Sequence, residues 1–464
     1  MMEQKDWKSV PTVTKLNTIA KKAKEDRRLK FNSLLHLLNK EYLLDCYRLL
    51  KKHKASGIDG RTVESYTETE IDKALESTAK QILRGKYNPP PVRRVYIAKE
   101  NGKMRGLGIP TVIDKVVQLA VTRILVAIFD SSFTDSSYGY RNGRDAHACL
   151  KAINNMIRTE KVNYIIDADI TGYFDSIDHT WMMRCLTQRI NDKAFLRIIW
   201  KWLKAGVMEQ QTFTPTDKGT PQGGIVSPVL SNIYLHFVLD LWMNAEEKKK
   251  LYGFTELLRY ADDFIIGVQY EYEAEIIFRD IQERFKKFGL TLSLEKTKIV
   301  AFGKYAAERE KRKGRKPGIF TFLGFTHSCG ETRSGRFRVK AQTSSNKLRK
   351  SLSSMKSFLK ENKTDKLEKV WKEVAVKLTG HYNYYGISGN YKQLRRYYNA
   401  TENLLFKWLN RRGQRRSFSW EEFGKYSMHN QLPQPKITYA FYQTGGNIIS
   451  GKGKCFSSES RMRK

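Results

Sequence analysis

The stretch that most limits how this chain can fold is Glu256-Leu257-Leu258-Arg259-Tyr260-Ala261-Asp262-Asp263-Phe264-Ile265-Ile266-Gly267-Val268. Two short apolar runs, rich in residues suited to a pleated and half-buried surface, flank a tight polar pair. That pattern predicts a β-hairpin with two carboxylates at its tip. Adjacent aspartates repel each other and cost stability unless water or a cation neutralises them. Asp is also a common turn residue, so on this stretch alone an ordinary solvated turn explains the pair as well as a metal site does. A third carboxylate elsewhere would decide between them.

Val162-Asn163-Tyr164-Ile165-Ile166-Asp167-Ala168-Asp169-Ile170 supplies it. The run has a strand pattern in which Asp167 and Asp169, two apart, share a face. Thr171 to Ile177 then turns toward a helix. Carboxylates on a strand that is otherwise buried rarely serve packing, because burying charge without a partner is costly. Between the two stretches, Gly219-Thr220-Pro221-Gln222-Gly223-Gly224-Ile225-Val226-Ser227-Pro228 is a flexible turn ending in a helix start, with Ser227 as N-cap and Pro228 as the first helical residue. After the hairpin, Glu273 to Phe288 reads as a helix packed behind it. Leu290 to Val300 follows as a turn and strand with a lysine near the acids, then Phe320 to Phe325 as a further strand.

Ahead of this region, residues 1 to about 30 are polar and basic and are expected to order only on binding. Helical spacing predicts one helix from Leu34 to Leu50 and another from Glu68 to Gly85. Val92 to Lys99 and Met104 to Pro110 read as a hairpin whose tip is flanked by Lys99 and Arg105, an ammonium and a forked guanidinium suited to phosphate; plain surface charge accounts for them too. Ser136 to Arg144 is a Gly- and Arg-rich turn leading into a helix from Asp145, and the basic run 311–316 reads as a solvated loop, with contact to RNA as the alternative. From Ser344 the pattern becomes helical, with three amphipathic stretches whose outer faces are dense in Lys and Arg; beyond Asn410 periodicity fades.

Charge narrows the partner. With 84 Lys+Arg against 48 Asp+Glu, the net charge of +36 exceeds what solubility needs and implies a large polyanion, nucleic acid ahead of an anionic membrane surface. The apolar run Val116 to Phe129 is interrupted by Arg123 and is too short to span a bilayer. Met1 to Val10 lacks the apolar core of a signal peptide. Cys46, Cys149, Cys185, Cys329 and Cys455 are dispersed, which argues against a zinc module or disulfide framework and for a reducing cytoplasm.

Taken together, Asp169 with Tyr173-Phe174, Pro221-Gln222-Gly223-Gly224 through Ser227-Pro228, Tyr260-Ala261-Asp262-Asp263, Glu295-Lys296-Thr297-Lys298 and Phe322-Leu323-Gly324-Phe325 stand in the order and spacing of reverse transcriptase palm motifs. The set resembles bacterial group II intron-encoded reverse transcriptases, also called maturases, in the form lacking a C-terminal endonuclease. Lys54 to Gly60, Lys99 to Pro110 and Tyr138 to Arg144 resemble that family's N-terminal extension and fingers, and His381-Tyr382-Asn383-Tyr384-Tyr385-Gly386 resembles a signature of its thumb. The resemblance covers about residues 30 to 440. Asn142 departs from it, standing where the family usually has proline, and no cysteine-rich His-Asn-His nuclease follows the thumb, so target-DNA cleavage is not expected.

The resemblance implies an α+β right-hand polymerase: α/β fingers and palm, with an antiparallel palm sheet packed on helices, followed by an α-helical thumb or maturase domain. The expected division is a basic segment at 1–30, extension and fingers at 31–160, palm at 161–335, thumb at 336–412 and a basic nucleic-acid-binding tail at 413–464. It also implies roles. Asp169, Asp262 and Asp263, with the Ile170 carbonyl, would hold two Mg²⁺ ions, for which Mn²⁺ can substitute. Lys298 would protonate pyrophosphate, although a surface lysine explains it as well. Lys99, Arg105, Ile170, Phe174 and Gln222 would surround the deoxynucleotide, with Phe174 excluding a 2′-hydroxyl unless it is simply a core aromatic. Arg141, Arg144, Lys347, Lys350, Arg395, Arg396, Arg411 and Arg412 would contact nucleic acid.

The implied function is an RNA-directed DNA polymerase that binds structured group II intron RNA, assists its splicing and copies it into DNA. The expected partners are intron RNA or an RNA template, an RNA–DNA duplex, a primer strand and dNTPs. No membrane is expected, a homodimer is compatible, and the location is the bacterial cytoplasm in association with RNA or the nucleoid. Two other readings stay open: an RNA-binding splicing cofactor with weak polymerase activity, and a reverse transcriptase recruited to defence or DNA repair.

Overall fold

The computed structural model describes residues 11–98, 104–209, 212–214, 218–219, 223–332, 334–412 and 417–441. They form a mixed structure of helices and largely antiparallel sheets, with Val92 and Arg93 pairing parallel to Val207 and Met208, divided into two compact units, Met1–Leu323 with Ser328–Val339 and Gly324–His327 with Lys340–Lys464.

In the first unit α1 (Pro11–Glu25) is already ordered, because Leu16, Ile19 and Ala23 recur at helical spacing and give it an apolar stripe that joins the core. The helix predicted from Leu34 is divided. A 3₁₀ turn covers Leu35–Leu37, and Asn39, whose side chain accepts the Tyr42 N–H at 2.9 Å, starts α2 (Lys40–Arg48) afresh. Next, α3 (Glu68–Leu83) is opened by a Thr67/Glu70 capping box. The strands β1 (Val92–Ala98) and β2 (Met104–Ile109) pair antiparallel, with Ile97 opposite Arg105. The apolar run is α4 (Val112–Phe129), buried on nearly every side, so its uniform hydrophobicity reflects a core helix.

The helix α5 (Ala146–Thr159), capped by Asp145, leads to β3 (Tyr164–Ala168) and the short α6 (Tyr173–Ser176). Two further helices, α7 (His179–Leu186) and α8 (Lys193–Lys204), precede the short strands β4 (Val207–Glu209) and β5 (Thr212–Thr214), which complete a sheet of order β2-β1-β4-β5. Ser227 is not the N-cap of α9 (Ser227–Leu235). Val226 holds that position, and Ser227 and Pro228 are both already helical. The chain continues through π-helical turns at His236–Asp240 and Met243–Glu247.

The hairpin predicted from sequence is β6 (Thr255–Tyr260) and β7 (Asp263–Val268). Behind it lies α10 (Glu271–Lys287), with the Phe264 and Phe285 rings 6.1 Å apart edge to face. With β8 (Lys298–Ala301) the central sheet has the order β6-β7-β3-β8, and each of its neighbouring strands pairs antiparallel. The basic run is not all loop, because Lys311 and Arg312 form the last turn of α11 (Lys304–Arg312), which Gly314 ends at φ +68°. The strands β9 (Ile319–Phe322), β10 (Phe325–Glu331) and β11 (Phe337–Thr343), over which the chain passes into the second unit, make a sheet of order β11-β10-β9.

The second unit is built of α12 (Ser345–Glu361), α13 (Leu367–Tyr385), α14 (Tyr391–Leu409) and α15 (Trp420–His429). Leu348, Met355, Val374, Leu378, Leu394, Leu405 and Phe423 form its core. His381 stacks on Tyr397 with centroids 3.8 Å apart, and burial pushes its pKa down to about 4. Among the described residues Cys46, Cys149, Cys185 and Cys329 are free thiols.

Candidate active site

Tyr260 pairs with Asp263, so Ala261 and Asp262 are the two turn residues of the β6–β7 hairpin. Ala261 sits at φ +59°, in the left-handed region that a side chain normally avoids. The loop is held in that shape by close neighbours. Gly139 lies so near that a Cβ there would come within 2.4 Å of the Ala261 nitrogen, so only glycine fits.

Strand register brings the third acid to this turn. In the antiparallel β3–β7 pair, Ala168 faces Phe264. Asp169 follows directly on β3 and Asp263 opens β7, and the charge of Asp169 acts on both Asp262 and Asp263. The Asp169 backbone is fixed from the other side, where Ser293 N–H donates to its carbonyl at 2.9 Å and Thr297 Oγ1 accepts its N–H at 3.4 Å. The Lys296 ammonium donates to the Asp169 carboxylate at 2.5 Å.

The acids strain against one another. Burial and then the charge of Asp169 raise the Asp262 pKa, with Arg105 and Arg259 acting in the opposite direction. Although solvent reaches Asp263, surrounding protein atoms and the charges of Asp262, Asp169 and Asp167 push it up to about 6. Asp167 is also raised to about 6, chiefly by burial. Its counter-charge is Lys298, which is its register partner on β8, so Lys296 and not Lys298 is the lysine bonded to Asp169. Among the described residues no three acidic, His or Cys side chains converge into a ready-made cage. The donor set is nevertheless that of a hard oxygen-seeking cation, and like charges left this close favour one.

Facing the acids is the β1–β2 hairpin. Arg105 is exposed and lowers the pKa of both Asp262 and the Tyr140 phenol. Tyr140, at φ +56°, has 59% of its surface exposed and feels the charges of Asp262 and Asp263. Gly223, at φ +110°, lies where a Cβ would come within 2.7 Å of the Gly108 carbonyl, so the loop after Gln222 runs against β2. Lys99 and Gln222 themselves lie outside the described residues. Ile170 is buried and bridged to Leu292. Tyr173 points inward, its hydroxyl donating to the Ser231 carbonyl at 2.8 Å, which leaves Phe174 half-buried at the surface with the two rings 5.4 Å apart.

The basic residues divide. Arg141 is not an available contact: only 6% of its side chain is exposed, and its guanidinium is bonded to Asp130 and to the Thr134 and Ser137 carbonyls. Arg144 is partly exposed and paired with the open Asp135 at 2.5 Å. In the second unit Lys350, Arg395, Arg396 and Arg411 are exposed, and Lys347 and Arg412 are half-buried. Sequence reasoning gave no site role to Tyr140, Lys296 or Arg259. The glycine before Tyr140, fit for close approach, was the available sign of the first.

Residues 97–327 match the reverse transcriptase (RNA-dependent DNA polymerase) family and form such a domain. The chain is 39% identical over 247 residues to group II intron-encoded protein LtrA of Lactococcus lactis subsp. cremoris, covering 51% of this chain and 40% of that protein. It is 29% identical over 311 residues to protein YkfC of Escherichia coli K12, covering 60% of this chain and 81% of that protein. It is 26% identical over 209 residues to nuclear intron maturase 4, mitochondrial, of Arabidopsis thaliana, covering 44% of this chain and 25% of that protein. The chain thus spans about two fifths of the length of LtrA. No helix among the described residues is long and apolar enough to cross a membrane.

Proposed function

From a chain that carries a reverse transcriptase domain and is kin to group II intron-encoded proteins and intron maturases, we propose an RNA-directed DNA polymerase that also binds structured intron RNA and assists its splicing. The observation that carries this reading is that Asp169, from far earlier in the chain, shares one end of the two central strands with Asp262 and Asp263, its charge acting on both.

The reaction joins a primer 3′-oxygen to the α-phosphorus of a dNTP, breaks the bond to pyrophosphate and releases the 3′-hydroxyl proton. Asp169, Asp262 and Asp263, with the Ile170 carbonyl, would hold a pair of Mg²⁺ ions, or Mn²⁺ in their place, and these supply positive charge to the attacking and departing oxygens. The chain's own residues do the rest. Arg105 presents a forked cation to the triphosphate, and the exposed edge of Phe174 lies under the sugar, where a 2′-hydroxyl would collide. Lys296 balances the acids, while Lys298, bound into the field of Asp167, is the more distant proton donor. Exposed Arg and Lys of the second unit, Lys350, Arg395, Arg396 and Arg411 among them, suit phosphate contacts that weaken steeply with salt.

The test is primer extension on an RNA template with Mg²⁺. Wild-type protein should make DNA and Asp262→Ala should not. Protein that promotes splicing of an intron RNA yet extends no primer is a splicing cofactor, and the polymerase reading fails.

A further inference from the structure

A guanidinium with no exposure lies two residues before the acid-bearing turn. Arg259, the penultimate residue of β6, is 0% exposed, and burying such a charge is costly unless every proton finds an acceptor. Its fork makes five hydrogen bonds. Nε and Nη2 donate to Asp240 at 2.8 and 2.6 Å, Nη1 to Asn232 Oδ1 at 3.0 Å and to the Ala261 carbonyl at 2.8 Å, and Nη2 to Ser137 Oγ at 2.9 Å. Asp240 is brought there by the π-helical turn His236–Asp240.

Those partners close a ring around the active turn. Asn232 Nδ2 donates to the Gly139 carbonyl at 2.7 Å, and Gly139 is the residue pressed against the Ala261 nitrogen. The backbone ties the same segments, with Arg259 N–H donating to the Ser136 carbonyl at 2.8 Å and Tyr138 N–H to the Arg259 carbonyl at 2.9 Å. Residues 136–138 thereby cover the open edge of β6, the outermost strand of its sheet.

We propose that Arg259 is a positioning residue: by holding the Ala261 carbonyl it sets the direction of the Asp262 carboxylate and locks that direction to the segment that carries Tyr140. The Ala261–Asp262 peptide is planar, so anchoring its carbonyl fixes the nitrogen and Cα of Asp262 as well. Ala261 in the left-handed region costs about 1 kcal/mol or more, and a bond to its carbonyl is a direct way to keep it there. Stability alone does not call for a buried ion pair, because an apolar pair of similar volume serves as well or better. Gly139 and Tyr140 are adjacent, so the ring that holds the acid turn also anchors the backbone just before Tyr140.

The inference rests on the polymerase reading, and the double variant Arg259→Met/Asp240→Leu tests it, since it fills the site without charge and frees the Ala261 carbonyl. Three quantities are compared with wild type: Tm, steady-state primer extension, and Mn²⁺ binding to the protein alone by electron paramagnetic resonance. Expected are a Tm within a few degrees of wild type, a kcat lower by about tenfold or more with KM for dNTP nearly unchanged, and weaker Mn²⁺ binding. A folded double variant with wild-type kcat and Mn²⁺ affinity overturns the proposal. If it does not fold, Asn232→Ala and Ser137→Ala decide, each removing one bond to the fork; several-fold losses of kcat at unchanged Tm support the role, and wild-type kcat in both refutes it. Wild-type protein that extends no primer counts against the polymerase reading instead, and the Mn²⁺ comparison still reports on Arg259.

Discussion

Two charged clusters lie within four residues of each other on the β6–β7 hairpin, and the fold treats them in opposite ways. Around Arg259 the charges are of opposite sign, wholly buried and matched bond for bond, so that Asp240 and the guanidinium neutralise each other. Around Asp262 the charges are alike, open to solvent at Asp263, and answered by the Lys296 ammonium at Asp169. The first cluster uses electrostatics to hold a shape. The second leaves charge under-compensated in a place where the shape has been fixed, which is what the proposed role of binding cations and a triphosphate would require.

The largest effect tests the second cluster. Asp262→Asn keeps the size of the side chain and removes its charge, and it should lower primer extension about a thousandfold or more while the Tm of metal-free protein stays level or rises. A fall in metal-free Tm would mean that the acids are compensated after all, and the contrast would be lost. Next comes the first cluster. Asp240→Ala strands a buried guanidinium, and unfolding in urea should show a loss of about 3–5 kcal/mol. A loss under 1 kcal/mol would show that water already reaches Arg259.

A smaller effect concerns Tyr173 and Phe174, again neighbours treated oppositely, one buried with its hydroxyl bonded and the other at the surface. Phe174→Ala should raise ribonucleotide incorporation by about tenfold, roughly the worth of one steric contact in a pocket, with dNTP incorporation less affected. Unchanged discrimination would assign Phe174 to the core alone.

The same contrast explains what could be seen in the sequence. The hairpin and the β3 strand were legible because alternation and a polar pair between apolar runs are local signals, and antiparallel pairing then brings the end of β3 to the start of β7. Arg259 was hidden by its surroundings: a cation in an apolar run says nothing of a partner 19 residues earlier, and the π-helical turn that presents Asp240 has no sequence mark. Lys296 lost to Lys298 because the irregular segment before β8 has no period from which to read direction. The helix α15 was missed although its Ser419/Glu422 capping box is a readable start signal, since the run after it is short. The division of the helix predicted at Leu34 turned on one capping residue, Asn39, which the apolar spacing around it concealed.

The smallest effect bears on the acid cluster alone and comes from pH. In the folded protein Asp263 is raised to about 6, above the ordinary carboxylate value of 3.8, so the fold binds that proton more tightly than the unfolded chain does. Its charge therefore costs stability above about pH 6, and the cost fades as pH falls toward 3.8. His236 has the opposite sign. Burial holds it down to about 4, against its ordinary 6.5, with Asp240 favouring its charged form and Arg259, Arg141 and Arg27 opposing it, so its contribution is present above 6.5 and lost as pH falls toward 4. Asp263→Asn removes the first trend and keeps the second. In metal-free protein the variant should melt a few degrees above wild type at pH 7.5, and the gap should close by pH 4. Added Mg²⁺ should narrow the gap at pH 7.5, because a cation that binds wild type better than the variant stabilises it in proportion. A gap independent of both pH and Mg²⁺ would mean that Asp263 contributes packing rather than uncompensated charge, and the two clusters would then differ in exposure but not in kind.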